Sequence, residues 1–492
     1  MKVALVSAEA YPFSKTGGLG EVVGALFKEF IRNGLDVTLF LPYYRVSKSK
    51  FHDKVSDCGV VYGVSIGLET KFGATRSAKV SLTVNGNLLV EPSQCGNLFF
   101  VEHNDFFDRE QIYGTSYGEY LDNAERFVFF SRGFLEICKI LNLNFDIIHC
   151  NDWHTALIPL YMKTFYREFF KKTKTILTIH NLGYQGVFPR EKLEITGFGT
   201  EIFHIDGIEF YGMINFLKGG IFYSDYITTV SPTYAKEILT AEYGFGLDGV
   251  LRKRKESLTG IINGIDYNFW DPSTDPYIFH KYSVENFFEK RKNKEELIRI
   301  CELNVSVEEP LLGFIGRLTS QKGIDIMIEV IPKIIDKVGF IVVGTGESYY
   351  ENKIIEIKNS YPSRIFAFLG FNEELAHRIY AGIDAILIPS KYEPCGLSQL
   401  ISMKYGTIPI CRKTGGLADT VEDGITGFLF EKYDPYELCA AIDKFLNLYQ
   451  NKSKLYETIL ECMKKDFSWE KSCKDYIKLY EALINERNTS NI

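Results

Sequence analysis

The sequence predicts an α/β protein with two doubly wound parallel-sheet domains. A glycine-rich loop at residues 15–20, Lys-Thr-Gly-Gly-Leu-Gly, lies between an apolar run at 2–6 and apolar residues at helical spacing. A near copy at 413–417, Lys-Thr-Gly-Gly-Leu, also follows an apolar run and precedes a helix-like segment. In addition, 492 residues exceed what one hydrophobic core usually serves. Two Rossmann-like halves, whose ligand-binding edges could face each other, account for these three observations.

The first loop is suited to bind a phosphate. Gly17 and Gly18 let the backbone approach a ligand closely, and the free N–H groups at the start of the following helix attract an anion. Lys15 adds a positive charge. A lone Gly-Gly pair is more often a tight turn without a ligand. The second copy at 413–417 favours a pair of ligand loops instead.

The rest of the first half alternates strands and helices. A helix is predicted over 122–141, and apolar runs predict buried strands at 2–6, 36–41, 145–150, 175–179 and 226–230. Alternating residues at 81–84 and 98–101, with an Asn-Gly-Asn turn between them, predict a small hairpin addition. Residues 248–260 are interpreted as a charged connector.

The second half is more regular. Helical patterns such as 324–335 and 373–380 alternate with apolar strands at 311–315, 340–343, 365–369, 385–388 and 407–411. This alternation predicts a parallel sheet with helices on both faces. Helices at 436–449 and 454–464 follow, and a last helix runs from about 468 past 483. Taken alone, its apolar stripe favours a cap on the second domain; the stripe consists of Trp469, Tyr476, Tyr480 and Leu483.

Composition excludes several classes of partner. A formal net charge of −7 weighs against nucleic acid, and the basic run at 252–255 is too short and too central to be a binding tail. Ten cysteines are scattered without a Cys-x-x-Cys pair, which fits a reducing compartment.

The apolar N-terminal run is needed as the first strand and is cut short by Glu9, so we predict no signal peptide. No stretch approaches a membrane span, and we expect a cytoplasmic protein.

Polar clusters follow two neighbouring strands of the first half. Asn-Asp-Trp-His, ending at His154, follows the run 145–150, and His180-Asn181 follows the run 175–179. A single histidine is more often structural than functional. Open parallel sheets bind their ligands at the carboxyl ends of the strands, so two such clusters favour a site.

Two loops of the second half carry charged groups. Arg317 and Lys322 lie in a loop after a strand, where a guanidinium fork and an ammonium suit a diphosphate. The alternative is an ordinary pair of surface cations. Glu393 lies at a predicted helix start near Gly396, where a carboxylate and exposed N–H groups suit sugar hydroxyls. Helix capping explains that carboxylate about equally well.

We expect no metal and no cofactor. No Asp-x-Asp sequence occurs, so the metal clamp of some nucleotide-sugar enzymes has no obvious ligands. Side-chain cations and helix dipoles would then stabilise a departing diphosphate.

These motifs resemble the bacterial-type glycogen synthases and plant starch synthases, which are retaining glycosyltransferases. The resemblance spans nearly the whole chain in the family's order, at residues 15–22, 120–130, 149–156, 178–188, 214–225, 228–234, 243–250, 261–272, 313–323, 392–400 and 413–420. It implies transfer of glucose from ADP-glucose to the non-reducing end of an α-1,4-glucan such as glycogen, with retention of configuration. It also implies the GT-B fold, in which the two domains face a deep cleft.

The resemblance further implies a domain division and a set of roles. Residues 1–260, completed by a returning helix at 467–492, form the acceptor-side domain, and 261–466 bind the donor. Lys15 serves the donor diphosphate, and Arg317 and Lys322 stabilise the departing ADP. His154 and Asn263 contact the transferred glucose, and Glu393 lies beside it. The remaining substrate-binding positions are backbone groups of the loops, at Gly17, Gly18, Cys395, Gly396, Leu397, Thr414, Gly415 and Gly416.

One departure from the family pattern concerns the first loop. The family usually has aspartate where this chain has Glu21, which keeps the carboxylate but lengthens its side chain. Three alternative functions share features with this sequence. A UDP-glucose enzyme, or one with another acceptor, stays open because the base-binding residues are not readable. A nicotinamide dehydrogenase is disfavoured because it should have Gly-x-Gly-x-x-Gly, whereas this loop reads Gly-Gly-Leu-Gly. An inactive glucan-binding protein is disfavoured because it should lack the charged residues named above, and this chain has all of them.

Overall fold

The computed structural model describes residues 1–115 and 118–489. The chain forms two compact units. The first unit contains Met1–Val230, Ala235–Ile261 and the described chain from Ser472 onward, and the second contains Ser231–Tyr234 and Ile262–Lys471. Residues 490–492, the end of the predicted returning helix, lie outside the described residues. Among the described residues, none of the helices combines the length and the apolar character needed to cross a bilayer.

The first part of the chain, up to residue 261, alternates strands and helices as the apolar pattern predicts. In chain order the elements are β1 (Lys2–Val6), α1 (Gly18–Arg32), β2 (Asp36–Pro42), α2 (Arg45–Phe51), β3 (Ser56–Ile66), β4 (Glu69–Leu82), β5 (Leu88–Pro92), β6 (Leu98–Glu102), α3 (Asn104–Phe107), β7 (Gly114–Thr115), β8 (Gly118–Glu119), α4 (Asn123–Ile140), β9 (Ile147–Asn151), α5 (Leu157–Lys163), β10 (Lys174–Ile179), β11 (Val187–Phe188), β12 (Glu209–Phe210), β13 (Met213–Asn215), α6 (Phe216–Tyr223), β14 (Tyr226–Thr229), α7 (Pro232–Glu237), α8 (Asp248–Lys253) and β15 (Leu258–Gly260).

Ten strands form one mixed sheet in the first unit. Its order is β15-β14-β10-β9-β1-β2-β6-β4-β3, with β5 also paired to β4. Neighbouring strands from β15 to β6 are all parallel, and β4 runs antiparallel to β3, β5 and β6. The central strands β1 and β9 are almost entirely buried, as expected for parallel strands covered on both faces.

Two local predictions for the first unit were wrong. The Asn-Gly-Asn turn connects β4 to β5, so the strand at 98–102 does not follow this turn directly, although it does pair antiparallel with an earlier part of β4 and parallel with β2. Residues 248–260 are not a connector, because they contain helix α8 and the edge strand β15. Ile227 pairs in parallel with Leu258, so this short strand extends the sheet. Charged residues on the exposed face of α8 concealed this element from pattern analysis.

The second part of the chain contains the more regular α/β unit. Its elements are α9 (Lys290–Ile300), β16 (Leu311–Ile315), α10 (Ile324–Ile334), β17 (Gly339–Gly344), α11 (Ser348–Ser360), β18 (Ile365–Leu369), α12 (Glu373–Gly382), β19 (Ala385–Ile388), α13 (Ser398–Lys404), β20 (Ile408–Arg412), α14 (Gly415–Thr420), β21 (Phe428–Phe430), α15 (Pro435–Gln450), α16 (Lys452–Lys464) and α17 (Trp469–Thr489). The six strands are all parallel in the order β18-β17-β16-β19-β20-β21. Two hydrophobic clusters cover the two faces of this sheet.

The last helix, α17, returns to the first unit. Tyr480 is fully buried there, with its ring 5.6 Å from the ring of Phe30. Its hydroxyl lies 2.6 Å from Nδ1 of His149 on β9. Trp469 does not share this contact, although the sequence placed it in the same stripe. Trp469 belongs to the second unit, where its backbone packs closely against Gly264. A Cβ at position 264 would lie only 2.6 Å from the backbone nitrogen of Trp469.

A buried polar chain fixes Tyr480 in place. His149 Nε2 lies 2.5 Å from Thr178 Oγ1, which in turn lies 2.5 Å from Thr228 Oγ1. Burial lowers the pKa of His149 to about 3, so the ring is neutral and its two nitrogens must divide the donor and acceptor roles. His149 therefore serves the attachment of α17 and not the chemistry of the site.

Tyr480→Phe tests that attachment. The substitution removes the hydroxyl and leaves a buried ring nitrogen of His149 unpaired, which should cost about 1–3 kcal/mol in the free energy of unfolding. Urea denaturation would measure it as a lower midpoint. Tyr349→Phe, at a largely exposed position of α11, is the matched control and should leave the midpoint unchanged. Equal midpoints for Tyr480→Phe and the unchanged protein would contradict this role.

Candidate active site

The glycine-rich loop of the first unit leaves the start of α1 open. Helix α1 begins at Gly18, with Gly17 as its N-cap and no side chain capping it. A Cβ on Gly17 or Gly18 would meet nothing within 4 Å, whereas a Cβ on Gly24 would overlap the backbone of Tyr11. Packing within the chain therefore requires glycine at position 24 but not at positions 17 and 18. The open backbone at these two positions leaves room for a ligand to approach the helix terminus.

Glu9 organises this loop, and sequence reasoning missed it. Its carboxylate accepts hydrogen bonds from the backbone N–H and hydroxyl of Thr16, the latter at 2.8 Å, and from the N–H of Gly17 at 3.4 Å. The hydroxyl of Tyr113 donates to it at 2.6 Å. The sequence did contain a signal that could have identified Glu9. It is a carboxylate three residues beyond a buried strand, where the carboxyl edge of the sheet is expected.

Lys15 pairs with Glu21 in the first turn of α1. Both side chains are about a third exposed, so the pair adds little to stability. Glu21 is the residue that departs from the family's aspartate, and its longer side chain still reaches the ammonium group. The structure thus pairs Glu21 with Lys15, the cation of the loop that was predicted to bind a phosphate.

His154 is buried in an aromatic cage. Its ring stacks on Tyr113 at 4.9 Å, lies 4.1 Å from the ring of Trp153 and meets the edge of Phe127 at 4.7 Å. Burial, and secondarily the positive charge of Arg126, hold the pKa of His154 well below its usual value. Its Nδ1 has no hydrogen-bond partner within the described residues. A neutral imidazole with an unsatisfied buried nitrogen can hydrogen-bond a hydroxyl of a ligand.

The two polar clusters at the sheet edge come together. The Asp152 carboxylate accepts a hydrogen bond of 2.7 Å from the backbone N–H of His180, and His180 Nε2 lies 2.9 Å from Asn151 Oδ1. Burial lowers the pKa of His180 to about 3. Burial raises the pKa of Asp152 to about 7, although backbone N–H groups of His180 and Asn181 act in the opposite direction. Asp152 also has a positive φ of 55°, which sets the turn that leads into His154.

Three loops meet at the carboxyl edge of the second unit because β16, β19 and β20 are neighbours. The N–H of Lys391, after β19, donates to the carbonyl of Gln321, after β16, at 2.8 Å. The N–H of Gly416, after β20, donates to the carbonyl of Glu393 at 3.2 Å. A Cβ on Gly415 or Gly416 would overlap the backbone of 393–395. Both glycines are buried and are therefore required for this close packing of the loops.

Lys322 and Glu393 form an ion pair. Lys322 Nζ lies 2.6 Å from Glu393 Oε2, which also accepts a hydrogen bond of 2.9 Å from the Ser390 hydroxyl. The Glu393 side chain is 7% exposed and that of Lys322 is 23% exposed, so water screens the pair only partly. Arg317 lies exposed in the same loop as Lys322. Sequence analysis assigned Lys322 and Glu393 separately and did not predict their contact, and it missed Ser390.

Asn263 and Cys395 are buried neighbours in the second unit. The backbone of Asn263 hydrogen-bonds the Cys395 sulfur, and burial raises the pKa of that thiol to about 12. Oδ1 of Asn263 has no hydrogen-bond partner within the described residues. The helix after this loop begins at Ser398 with Leu397 as N-cap, so the predicted start near Gly396 was too early. Gly396 instead has a φ of 77°, a turn conformation.

The predicted site residues are divided between the two units. Lys15, Gly17, Gly18 and His154 belong to the first unit, and the remaining predicted site residues belong to the second. Lys413, from the second glycine-rich loop, pairs with Glu431 at 2.7 Å on the exposed surface. Within residues 1–115 and 118–489, no group of three or more His, Cys, Asp or Glu side chains is arranged to hold a metal ion.

Comparison with known families defines the class of protein. Residues 295–460 match the family of glycosyl transferases group 1, and residues 2–253 match the starch synthase catalytic domain. The chain is therefore a glycosyltransferase of the α/β class with parallel sheets. More particularly, it belongs to the glycogen synthase and starch synthase family, whose members use a nucleotide-sugar donor and a glucan acceptor.

Individual relatives agree with this assignment. The glycogen synthase of Thermodesulfovibrio yellowstonii is 66% identical over 99% of both chains. That of Thermosipho melanesiensis is 44% identical over 99% of this chain and 100% of its own. The catalytic domain of starch synthase IV from Arabidopsis thaliana, solved with ADP and acarbose, has a TM-score of 0.86 and 31% identity over 98% of this chain and 99% of its own.

Asp152→Asn should remove a pH dependence of stability. Because the folded pKa of about 7 lies above the unfolded value, the folded chain keeps a proton that the unfolded chain loses above about pH 4. The Asp152 contribution to the free energy of unfolding is therefore fully present at low pH and falls as the pH rises, by at most about 1.4 kcal/mol per pH unit. An asparagine resembles the protonated acid and has no such slope.

Urea denaturation between pH 5 and pH 8 measures this effect. The stability of the unchanged protein relative to Asp152→Asn should fall between about pH 5 and pH 7 and then level off, because above the folded pKa both states are ionised. Asp36→Asn, at the exposed first residue of β2, serves as the control and should show no such trend. A difference that stays constant with pH would show that Asp152 is ionised throughout.

Proposed function

We propose that the chain transfers glucose from ADP-glucose to the non-reducing end of an α-1,4-glucan such as glycogen, with retention of configuration. The observation that carries this proposal is the Lys322–Glu393 ion pair at the carboxyl edge of the second sheet. The solved relative with bound ADP supports the choice of nucleotide. The proposal includes a cytoplasmic location, which the scattered cysteines of the sequence support.

The charges of the second unit suit the breaking of a sugar–diphosphate bond. As the bond breaks, negative charge develops on the leaving diphosphate and positive charge on the glucosyl ring. Lys322 and Arg317 would stabilise the former, and the carboxylate of Glu393 would stabilise the latter. Because Glu393 and Lys322 already hold each other in place, little reorganisation is needed during the reaction. Attack on the same face of the sugar, through an ion-pair-like state, would give retention.

The first unit contributes neutral and cationic groups to the same proposal. Lys15 would bind the donor diphosphate, with the open backbone of Gly17 and Gly18 beside it. His154, neutral through burial, would hydrogen-bond the transferred glucose with the nitrogen that has no partner in the described chain. Asn263 of the second unit, whose Oδ1 is likewise unsatisfied, would accept from another hydroxyl. No step in this scheme uses a metal or a cofactor.

A donor panel tests the nucleotide and the metal independence together. With glycogen as acceptor, release of the nucleoside diphosphate should be much faster from ADP-glucose than from UDP-glucose. The rate should persist in the presence of EDTA. Faster turnover of UDP-glucose would overturn the donor assignment and favour the alternative enzyme. Loss of activity in EDTA would overturn the metal-free scheme.

Glu393→Gln tests the charge at the site. Glutamine keeps the size of the side chain and can still accept hydrogen bonds from Lys322 and Ser390, but it loses the negative charge. We expect kcat to fall by about 100-fold or more, as for other groups that stabilise transition-state charge. The variant should stay folded, with a urea midpoint somewhat lower than that of the unchanged protein because the ammonium of Lys322 loses a partly desolvated counter-charge. Glu431→Gln removes the exposed partner of Lys413 and should retain normal turnover. Unchanged kcat in Glu393→Gln would refute the role of the carboxylate.

A further inference from the structure

Two turns of the first unit place an aromatic residue in the left-handed region of the backbone. Tyr211 has a φ of 51° and is followed by Gly212 at 80°. Phe245 has a φ of 48° and is followed by Gly246 at 81°. Only three other non-glycine residues of the described chain have a positive φ. Two aromatic-glycine pairs with the same unusual conformation therefore occur in one unit.

The turn chemistry does not explain the aromatic residues. Phe210 pairs with Met213, so Tyr211 and Gly212 form a two-residue hairpin loop between β12 and β13. Positive φ at both loop residues is the mark of a type I′ turn, which prefers Asn-Gly. A bulky side chain in this conformation costs energy that asparagine or glycine largely avoids. Strained residues of this kind are concentrated at binding sites.

The two turns lie side by side, and each carries an exposed aromatic side chain. A Cβ on Gly246 would lie 3.0 Å from the ring of Phe210 and 3.3 Å from the ring of Tyr211, so the second turn packs against the first. Tyr211 is 80% exposed and Phe245 is 39% exposed. We call the surface formed by Tyr211 and Phe245 the aromatic patch. Its rings remain accessible although burial would be the favoured state for such side chains.

The aromatic patch is tied to the polar edge of the first sheet. Gln185 Nε2 donates to the carbonyl of Phe245 at 3.1 Å, and Gln185 Oε1 accepts from Asn215 Nδ2 at 2.6 Å. The next residue, Gly186, is so close to the indole of Trp153 that a Cβ would overlap it. Trp153 in turn contacts His154. A short series of contacts within one unit thus joins the patch to the proposed glucose ligand His154.

We propose that the aromatic patch binds the α-glucan acceptor, with the rings of Tyr211 and Phe245 stacked on glucosyl units. A pyranose ring presents C–H groups on its faces, and these pack against aromatic rings while the hydroxyls stay in water. A glucan is uncharged and repeats the same ring, so two exposed aromatic side chains on neighbouring turns suit it. The inference rests on the proposed transfer to a glucan and adds the residues that hold the acceptor.

Tyr211→Asn and Phe245→Asn separate a binding role from a structural one. Asparagine suits a positive φ, so both variants should keep or raise the melting temperature. With maltoheptaose as acceptor, the KM for the acceptor should rise by about 5- to 10-fold in each, the size expected when one aromatic contact is lost. The KM for ADP-glucose and kcat should stay within about twofold. Tyr211→Phe keeps the ring face and should restore the acceptor KM.

Direct titration with maltoheptaose, without donor, gives a second readout. Both asparagine variants should bind more weakly by a similar factor. Tyr436→Asn removes an exposed aromatic side chain from the second unit and should change neither value. An unchanged acceptor KM and unchanged binding in both patch variants would overturn the inference, as would equal increases in the KM of donor and acceptor.

The same measurements distinguish the two proposals. If the unchanged protein transferred no glucose from any nucleotide sugar, yet bound maltoheptaose through the patch, the proposed function would fail and the patch would stand. Normal turnover, with binding insensitive to both substitutions, would retain the function and refute the patch.

Discussion

Both units depend on the geometry of parallel strands. When strands run in the same direction, their carboxyl ends meet at one edge, and the loops that follow them must meet there too. In the second unit, the loops after β16, β19 and β20 are connected by backbone hydrogen bonds, and this brings Lys322 and Glu393 into contact. In the first unit, the loops after β9 and β10 join Asp152 to the backbone of His180. The interior of each sheet is largely apolar, apart from buried groups such as His149 and Thr178, so the predicted site residues lie at these edges.

The two units differ in how they handle charge. The second unit holds opposite charges side by side with limited access to water, which suits the separation of charge when a diphosphate leaves. The first unit removes charge by burial. It lowers the pKa of His154, His149 and His180 and raises that of Asp152. Neutral groups of this kind can recognise sugar hydroxyls, whereas the proposed scheme assigns the diphosphate to Lys15 on the glycine-rich loop of the same unit.

Much of this architecture could be predicted from the sequence. Most parallel strands of both units were predicted to within about two residues at each end because long apolar runs have few alternatives in a packed α/β domain, whereas the short edge strands β15 and β21 were not predicted. Predictions failed where local pattern and pairing diverge. The strand at 98–102 was recognised and does pair with β4, but it is not the strand that follows the Asn-Gly-Asn turn, since alternation does not specify which segments lie side by side. Strand β15 was missed because three residues at a sheet edge leave no periodic signal.

For the candidate site, the sequence by itself determined which residue types stand at the ends of the strands: Lys15, His154, Lys322 and Glu393 were all identified from motif and position. Only the tertiary structure decided their partners. Glu9 holds the first loop, Tyr113 stacks on His154, Ser390 supports Glu393, and the turn of Phe245 packs against the turn of Tyr211. The physical reason is that residue type and the succession of strands along the chain can be read locally. Hydrogen bonds, burial and pKa values depend instead on residues brought together from distant positions.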